Sequence, residues 1–243
     1  MQVNQHRQTV LANNMANIDT TAFKQDLARI AQRPVESRED AAGLEFMHSV
    51  LDGMSGGLEV KASQHDLSQG GIERTGREMD MAIDGEGFFT VSDGTTTRYT
   101  RNGSLSMNRE GELVLSAGGG RWRMLDEGGA RILLQAERGR LSVAQDGVVR
   151  QGKEEIARIG LVKSEDATSL RKVGENLFEL TRGEMVRAGG RIEKESLERS
   201  NFDSMRGLAQ MIEATRAYEL NANMVRMQDD LTGQAISRVG RVA

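Results

Sequence analysis

Residues 79–91 read Met79-Asp80-Met81-Ala82-Ile83-Asp84-Gly85-Glu86-Gly87-Phe88-Phe89-Thr90-Val91, and this stretch decides the class of the central fold. Its first half places large apolar side chains at every second position, which is typical of a strand with one buried face. The segment Asp84-Gly85-Glu86-Gly87 then provides turn residues before a second apolar run. The stretch therefore predicts two β-strands joined by a tight turn.

Turn signals continue downstream of this stretch. They are Asp93-Gly94, Asn102-Gly103, Glu110-Gly111 and Asp146-Gly147, and short apolar runs such as Leu113-Val114-Leu115 flank them. Turns spaced roughly 8–12 residues apart are typical of antiparallel hairpins in a sandwich or barrel-like domain. We therefore expect a central all-β, hairpin-rich domain over residues 72–198.

Glycine is concentrated in the middle of the chain. Of the 28 glycines, all lie between Gly43 and Gly190 except Gly207, Gly233 and Gly240. Glycine weakens the interior of a helix, so its scarcity at both ends favours helical termini.

The N-terminal segment carries apolar residues at helical spacing: Val3, Val10, Leu11, Met15 and Ile18. Asn17 and the turn formers Asp19-Thr20-Thr21 are expected to end this helix. A second helical stretch is expected before Pro34, with its apolar residues again at helical spacing: Phe23, Leu27 and Ile30. Residues 1–33 are thus the predicted N-terminal helical part, and the polar, glycine-containing residues 34–71 form an extended connector.

The C-terminal segment, residues 199–243, predicts a long helix from about Ser204 to about Arg238, which would extend about 50 Å. Its apolar residues form two offset seams. The first contains Leu208, Ile212, Tyr218 and Val225, and the second contains Leu220, Met224, Met227 and Leu231. A helix buried against its own domain remains an alternative, but two seams favour neighbours on more than one side.

Composition excludes several kinds of chemistry. The 243 residues include no cysteine, and 32 Lys and Arg against 36 Asp and Glu give a net charge of -4. No thiol nucleophile or thiolate metal site is possible, and the acidic balance argues against nucleic acid as a partner. No apolar stretch approaches the roughly 20 residues of a membrane span. The three histidines show no metal-binding spacing. We expect no catalysis, no cofactor, no metal and no membrane insertion.

Two features leave alternatives open. His65-Asp66 could be half of a catalytic relay, although no nucleophile motif accompanies the pair. Trp122, beside three consecutive glycines, could contact a partner or pack on the sheet.

Several motifs resemble those of flagellar rod and hook proteins. The matching stretches, in family order, are Leu11–Lys24, Asp80–Phe89, Tyr99–Leu105, Gly174–Phe178, Leu197–Asn201 and Met211–Asn221. The positions that carry the motifs are Asn13, Asn14, Asn17, Phe23, Asp84, Gly85, Gly87, Phe88, Phe89 and Asn201.

The resemblance implies a structural subunit of the bacterial flagellar basal-body rod with an α+β fold. Both termini would form one discontinuous helical, coiled-coil domain, and the β domain would lie outside it. Copies of the chain would assemble with each other and with other rod proteins into a tubular drive shaft that transmits torque. The flagellar type III export apparatus would deliver them to the periplasmic rod, in keeping with an N-terminus that lacks the apolar core of a secretory signal. The residues expected in the assembly interface are Val10, Leu11, Met15, Ile18, Leu208, Ile212, Tyr218, Leu220, Val225 and Leu231.

Within the family, the length and compact middle favour a proximal rod subunit over a distal rod or hook-type subunit. Relatives usually carry further residues before the part that matches Met1-Gln2-Val3-Asn4, so either the start is misassigned or truncated, or the helix is shorter here. A secreted β-rich carbohydrate-binding or hydrolase module is the alternative from a different class.

Overall fold

The structure is a computed structural model that describes residues 2–32, 57–135, 139 and 141–239. It divides into two compact units. The first, here called the helical unit, comprises 1–15, 26–64 and 204–243, and the second, the β unit, comprises 16–25 and 65–203. Helices at both ends and strands between them confirm the mixed α+β class.

The helical unit contains helix α1 (Gln2–Ala16) and helix α2 (Ser204–Val239). Helix α1 ends just before Asn17, as predicted from the turn residues that follow. The Thr20 hydroxyl donates to the side-chain oxygen of Asn17, and the Thr20 N–H donates to the Asn17 carbonyl. Helix α2 has 36 residues, which corresponds to about 54 Å at 1.5 Å per residue.

The predicted second helix through Phe23, Leu27 and Ile30 is wrong. Residues 26–32 form strand β1 (Asp26–Gln32), which pairs with β2 (Leu58–His65). The carbonyls of Phe23 and Gln25, which a helix would pair within the segment, instead accept from the N–H groups of Asn201 and Asp66. From Asp26 onward, half-buried and exposed residues mostly alternate, as a strand requires. Residue 33, Pro34 and the predicted connector as far as residue 56 lie outside the described residues.

The β unit contains the remaining sixteen described strands. They are β3 (Ile72–Arg74), β4 (Met81–Asp84), β5 (Phe89–Ser92), β6 (Thr97–Thr100), β7 (Leu105–Met107), β8 (Leu113–Leu115), β9 (Arg123–Met124), β10 (Leu141–Val143), β11 (Val148–Gln151), β12 (Glu154–Arg158), β13 (Val162–Ser164), β14 (Leu170–Lys172), β15 (Leu177–Leu180), β16 (Met185–Arg187), β17 (Arg191–Lys194) and β18 (Ser196–Glu198).

Seven of these strands form the main sheet, in the order β14-β15-β6-β5-β9-β8-β7. Strands β10, β11 and β12 form a three-stranded sheet, and β13 pairs with β16. The last two strands return to the first two: β17 pairs antiparallel with β4, and β18 pairs antiparallel with β3. The end of the β unit is therefore held directly on its beginning.

The core of the β unit lies between these sheets. Met81, Ile83 and Phe89, from the stretch that predicted the strands, are fully buried in it. Trp122 is only 4% exposed and donates its indole N–H to Glu175 Oε2 at 3.1 Å. Of the two interpretations of Trp122, the structure shows that it packs on the sheet.

Candidate functional site

Helix α2 exposes an unusual amount of apolar surface for a helix in a folded subunit. Ten of its large apolar side chains are between 37% and 78% exposed: Met205, Leu208, Ile212, Tyr218, Leu220, Met224, Val225, Met227, Leu231 and Ile236. These include every residue of α2 that the sequence predicted for the assembly interface. Large exposed apolar surfaces are typical of protein–protein interaction sites.

Four of these residues follow one line along the helix. Leu220, Met224, Met227 and Leu231 are separated by steps of four, three and four residues, and they are 65%, 67%, 63% and 60% exposed. This spacing places them on one face, as at the a and d positions of a coiled-coil seam. We call these four residues the apolar stripe.

The covered face of α2 carries smaller side chains. Gly207 and Ala214 are buried, and Met211, Ala217 and Asn221 are half-buried. One side-chain hydrogen bond joins α1 to α2 near this face: Gln8 Nε2 donates to the exposed Thr215 Oγ1 at 3.3 Å. Apart from Met211 and Asn221, the less exposed side chains named here are small, and small residues allow close approach of a neighbouring backbone. Seams assigned from large apolar residues alone missed this face.

The predicted interface residues of the N-terminal segment are less exposed than those of α2. Val10, Leu11 and Met15 are half-buried on α1. Ile18 is also half-buried, but it follows the helix and belongs to the β unit. The structure thus separates Ile18 from the other predicted interface residues.

A second cluster lies inside the β unit, where the segment that follows α1 meets the segment that precedes α2. Lys24, Arg101 and Glu198 form a buried ion-pair network, which we call the terminal clasp. Lys24 Nζ lies 2.5 Å from Glu198 Oε1, and Arg101 Nη1 lies 3.3 Å from Glu198 Oε2. The side chains of Lys24 and Glu198 are 0% exposed. Burial of two charges is costly unless each is paired and hydrogen-bonded. The pairing therefore holds the segment around Lys24 against the segment around Glu198.

Further hydrogen bonds complete the clasp. Glu198 Oε1 also accepts from the Gly70 N–H at 2.8 Å. Lys24 Nζ donates to the Ser68 carbonyl at 2.6 Å, and Arg101 Nη2 donates to the Gly85 carbonyl at 2.7 Å. Burial lowers the pKa of the Lys24 ammonium, and the charge and hydrogen bond of Glu198 oppose this effect.

Backbone contacts bring the same two segments side by side. The Ala22 N–H donates to the Glu198 carbonyl at 2.7 Å, and the Asn201 N–H donates to the Phe23 carbonyl at 3.2 Å. Asn201 also accepts from the Gln25 N–H at 2.8 Å through its side-chain oxygen. Residues 22–25 are therefore hydrogen-bonded directly to residues 198–201.

Several motif residues surround this junction. The Lys172 ammonium lies 3.7 Å from the centre of the buried Phe23 ring, in a cation–π contact. Phe88 stacks edge-on against Phe178 with the ring centres 5.5 Å apart, and the Arg101 guanidinium lies 5.5 Å from the Phe88 ring centre. These contacts explain why apolar and charged motif positions occur together.

The remaining motif residues lie in different surroundings. Asn14 is buried and bonds both the N–H and the carbonyl of Asp26 within the helical unit, at 2.9 and 2.8 Å. Asn13 is exposed on α1, and Asp84 is exposed at the end of β4, whereas Phe89 is fully buried in the core.

Gly85 and Gly87 form the turn between β4 and β5, where each has a positive φ, of 96° and 135°. At Gly87 an added Cβ would come within 3.0 Å of the Ala188 Cβ. Glycine is therefore required at this turn.

The three clasp residues lie within stretches that resemble the family, but the sequence did not predict a site there. A signal existed: Lys24, Arg101 and Glu198 are charged residues within stretches that match the family closely. Sequence alone could not show that these charges, as far apart as 174 positions, meet in one buried place.

The contacts described for Asp66 and for His65 involve different residues. The Asp66 carboxylate accepts from Gln25 Nε2 at 2.8 Å and from the Ser68 N–H at 2.9 Å. The His65 ring instead lies edge-on to Phe178 with the ring centres 6.0 Å apart. Across the described ranges, no group of three or more His, Cys, Asp or Glu residues is placed to hold a metal ion. Within the same ranges, neither helix has a stretch long and apolar enough to cross a membrane.

Comparison with known proteins places these features in a family. Residues 82–151 match the model of the flagellar hook protein FlgE/F/G D1 domain, and residues 193–238 match that of the flagellar basal body rod FlgEFG protein C-terminal region. The first match covers much of the β unit, and the second covers β18 and nearly all of α2.

Full-length relatives agree with the two domain matches. The chain is 33% identical over 238 residues to the flagellar basal-body rod protein FlgF of Caulobacter vibrioides, covering 96% of this chain and 91% of the relative. It is 28% identical to the flagellar basal-body rod protein FlgG of Bacillus subtilis, covering 94% of this chain and 91% of the relative. A rod protein FlgF of Rhizobium meliloti is 26% identical over 96% of this chain and 92% of the relative. The chain therefore belongs to the flagellar basal-body rod protein family, as a structural subunit of the rod in the bacterial flagellar basal body.

Proposed function

We propose that this rod subunit assembles through the exposed apolar residues of α2, which pack against helices of neighbouring rod subunits. Neighbours would be copies of this chain and other rod proteins, and the packed terminal helices would form the coiled-coil inner layer of a tube. The β unit would form the outer part. Such a tube serves as the drive shaft that transmits torque, without catalysis.

The exposed large apolar side chains of α2 carry this proposal. Side chains such as Leu220 and Leu231 are 65% and 60% exposed, so most of their surface is still available for burial. Burying a leucine fully contributes about 1.5–3 kcal/mol. Ten such residues on one helix are a large exposed apolar surface, and packing against neighbouring helices would bury it.

We further propose that the terminal helices gain part of their order on assembly. An isolated helix stabilised by little tertiary packing is marginal in water, and α2 leaves most of its apolar residues uncovered. Coupled folding would limit premature polymerisation and keep the chain suitable for delivery by the flagellar export apparatus. Circular dichroism of the isolated subunit tests this point, since fully ordered termini without a partner would contradict it.

The test of the proposed function is the variant Ile212→Asp. Ile212 is 48% exposed, so the folded subunit should tolerate the change. A carboxylate at this position would be unpaired within a packed interface, which is strongly unfavourable. We expect a soluble, folded variant that is absent from purified basal bodies. Stable rods built from this variant would refute the assignment.

Within the rod we propose a proximal position, as the chain length and compact middle favour. Locating the tagged subunit along purified basal bodies tests it, and a signal confined to the distal part would overturn it.

A further inference from the structure

We propose that the terminal clasp makes docking of the N-terminal end dependent on prior docking of the C-terminal end, with Glu198 as the positioning residue. The proposal rests on the proposed function in one respect: the two segments connect to the helices that would assemble. It assigns an order to the folding of the subunit: the end of the chain that is synthesised first docks last.

The C-terminal segment has its own support on the β unit. Strand β18 pairs with β3 through the register Ser196 to Arg74, Leu197 to Glu73 and Glu198 to Ile72. The Arg199 N–H then donates to the Gly71 carbonyl at 2.8 Å. None of these bonds involves residues 16–25, so the C-terminal segment can dock before the N-terminal segment arrives.

The N-terminal segment, by contrast, bonds the C-terminal segment through three backbone groups, in addition to its bonds with Asp66, Ser68, Lys172 and Asn176. The N–H groups of Ala22 and Gln25 donate to the Glu198 carbonyl and to Asn201 Oδ1. The Phe23 carbonyl accepts from the Asn201 N–H. Without residues 198–201 these three backbone groups lose these partners, and residues 22–25 keep only their bonds to other parts of the β unit.

The charges of the clasp show the same asymmetry. If Glu198 is removed, the buried Lys24 ammonium keeps a single hydrogen-bond partner in the described structure, the Ser68 carbonyl. If Lys24 is removed, the Glu198 carboxylate still accepts from Arg101 Nη1 and the Gly70 N–H. An unpaired buried charge is strongly destabilising, so loss of Glu198 should release Lys24, whereas loss of Lys24 should leave Glu198 in place.

The experiment compares two full-length variants, Glu198→Gln and Lys24→Met, by hydrogen exchange of individual amides. The reporters are Ala22 and Gln25 for the N-terminal segment and Arg199 for the C-terminal segment. In Lys24→Met we expect about a tenfold or greater acceleration at Ala22 and Gln25, because the charged anchor of their segment is lost, and at most about a twofold change at Arg199. In Glu198→Gln, Ala22 and Gln25 should exchange at least as fast as in Lys24→Met.

A double variant supplies the coupling test. In Lys24→Met/Glu198→Gln the exchange of Ala22 should match that of Glu198→Gln alone, because residues in one network are not additive. The fluorescence of Trp122 reports whether the rest of the β unit stays folded. If Glu198→Gln does not fold, Asn201→Ala provides the same directional test, since it removes the acceptor of the Gln25 N–H.

Two results would overturn the proposal: unchanged exchange at Ala22 and Gln25 in Glu198→Gln, or equal acceleration at Arg199 and Ala22 in Lys24→Met. Neither readout depends on assembly. Failure of this inference is therefore distinguishable from failure of the proposed function, which the incorporation of Ile212→Asp into rods decides.

Discussion

Leu220 offers the most quantitative test of assembly through α2. It is the first residue of the apolar stripe, and it is 65% exposed in the subunit. The variant Leu220→Ala removes most of this apolar surface without introducing a charge, and alanine is the best helix former. The free energy of unfolding of the isolated subunit should therefore change by no more than about 0.5 kcal/mol.

The expected loss in assembly follows from the surface that remains to be buried. Full burial of a leucine side chain contributes about 1.5–3 kcal/mol, and the exposed two thirds of Leu220 would supply about 1–2 kcal/mol of it on assembly. A difference of this size changes an association constant by about 5–30-fold. Leu220→Ala should thus weaken incorporation without abolishing it.

Competition for incorporation measures this effect directly. The variant and the unmodified chain are expressed together in equal amounts, and their ratio in purified basal bodies is determined by mass spectrometry. We expect the Leu220→Ala chain to be depleted by the factor above. Leu133→Ala is the matched control, because Leu133 is 55% exposed and lies in the β unit. Equal incorporation of Leu220→Ala and the unmodified chain would refute the reasoning, as would equal depletion of the control.

Two further predictions concern the β unit. Gly103→Ala should destabilise it by about 1–3 kcal/mol, because an added Cβ would lie 1.8 Å from the Met81 carbonyl oxygen. Thermal unfolding followed by Trp122 fluorescence measures this effect. The control Gly189→Ala should be nearly neutral, because no atom lies within 4 Å of the added Cβ. A small effect at Gly103 would contradict the close approach of the two segments. Burial raises the pKa of the Asp66 carboxyl, but hydrogen bonds from the Ser68 N–H and the Gln25 side chain outweigh it, so the pKa lies below its usual range. Because the folded pKa is the lower one, Asp66 stabilises the fold above about pH 4 and this contribution is lost as the pH falls through the folded value. Asp66→Asn should therefore lower the free energy of unfolding at neutral pH and make it fall less on acidification, and an unchanged acid profile would count against the role of Asp66.

The sequence predicted the β unit well because its signals are local. Alternation over Met79 to Ile83 and the turn at Gly85 and Gly87 depend only on neighbouring residues, and the structure places strands β4 and β5 on either side of that turn. The long C-terminal helix was equally predictable from the sequence, since helical spacing and the scarcity of glycine extend over the whole segment.

The error at residues 23–32 has a non-local cause. Phe23, Leu27 and Ile30 have helical spacing, yet Phe23 is buried under Lys172, and residues 26–32 pair with a strand that begins 26 positions further on, at Leu58. Tertiary contacts of this kind override local propensity. The clasp was unpredictable for the same reason, because Lys24 and Glu198 are 174 positions apart.

Chemical accessibility of the apolar stripe tests assembly through α2 most directly. The chain has no cysteine, so Leu220→Cys introduces a single thiol whose rate of maleimide labelling reports exposure. In the free subunit this thiol should react at the rate of a Leu133→Cys control. In purified basal bodies we expect the thiol at position 220 to be protected while the control still reacts. Equal labelling at position 220 in free subunits and in rods would contradict assembly through this face of α2.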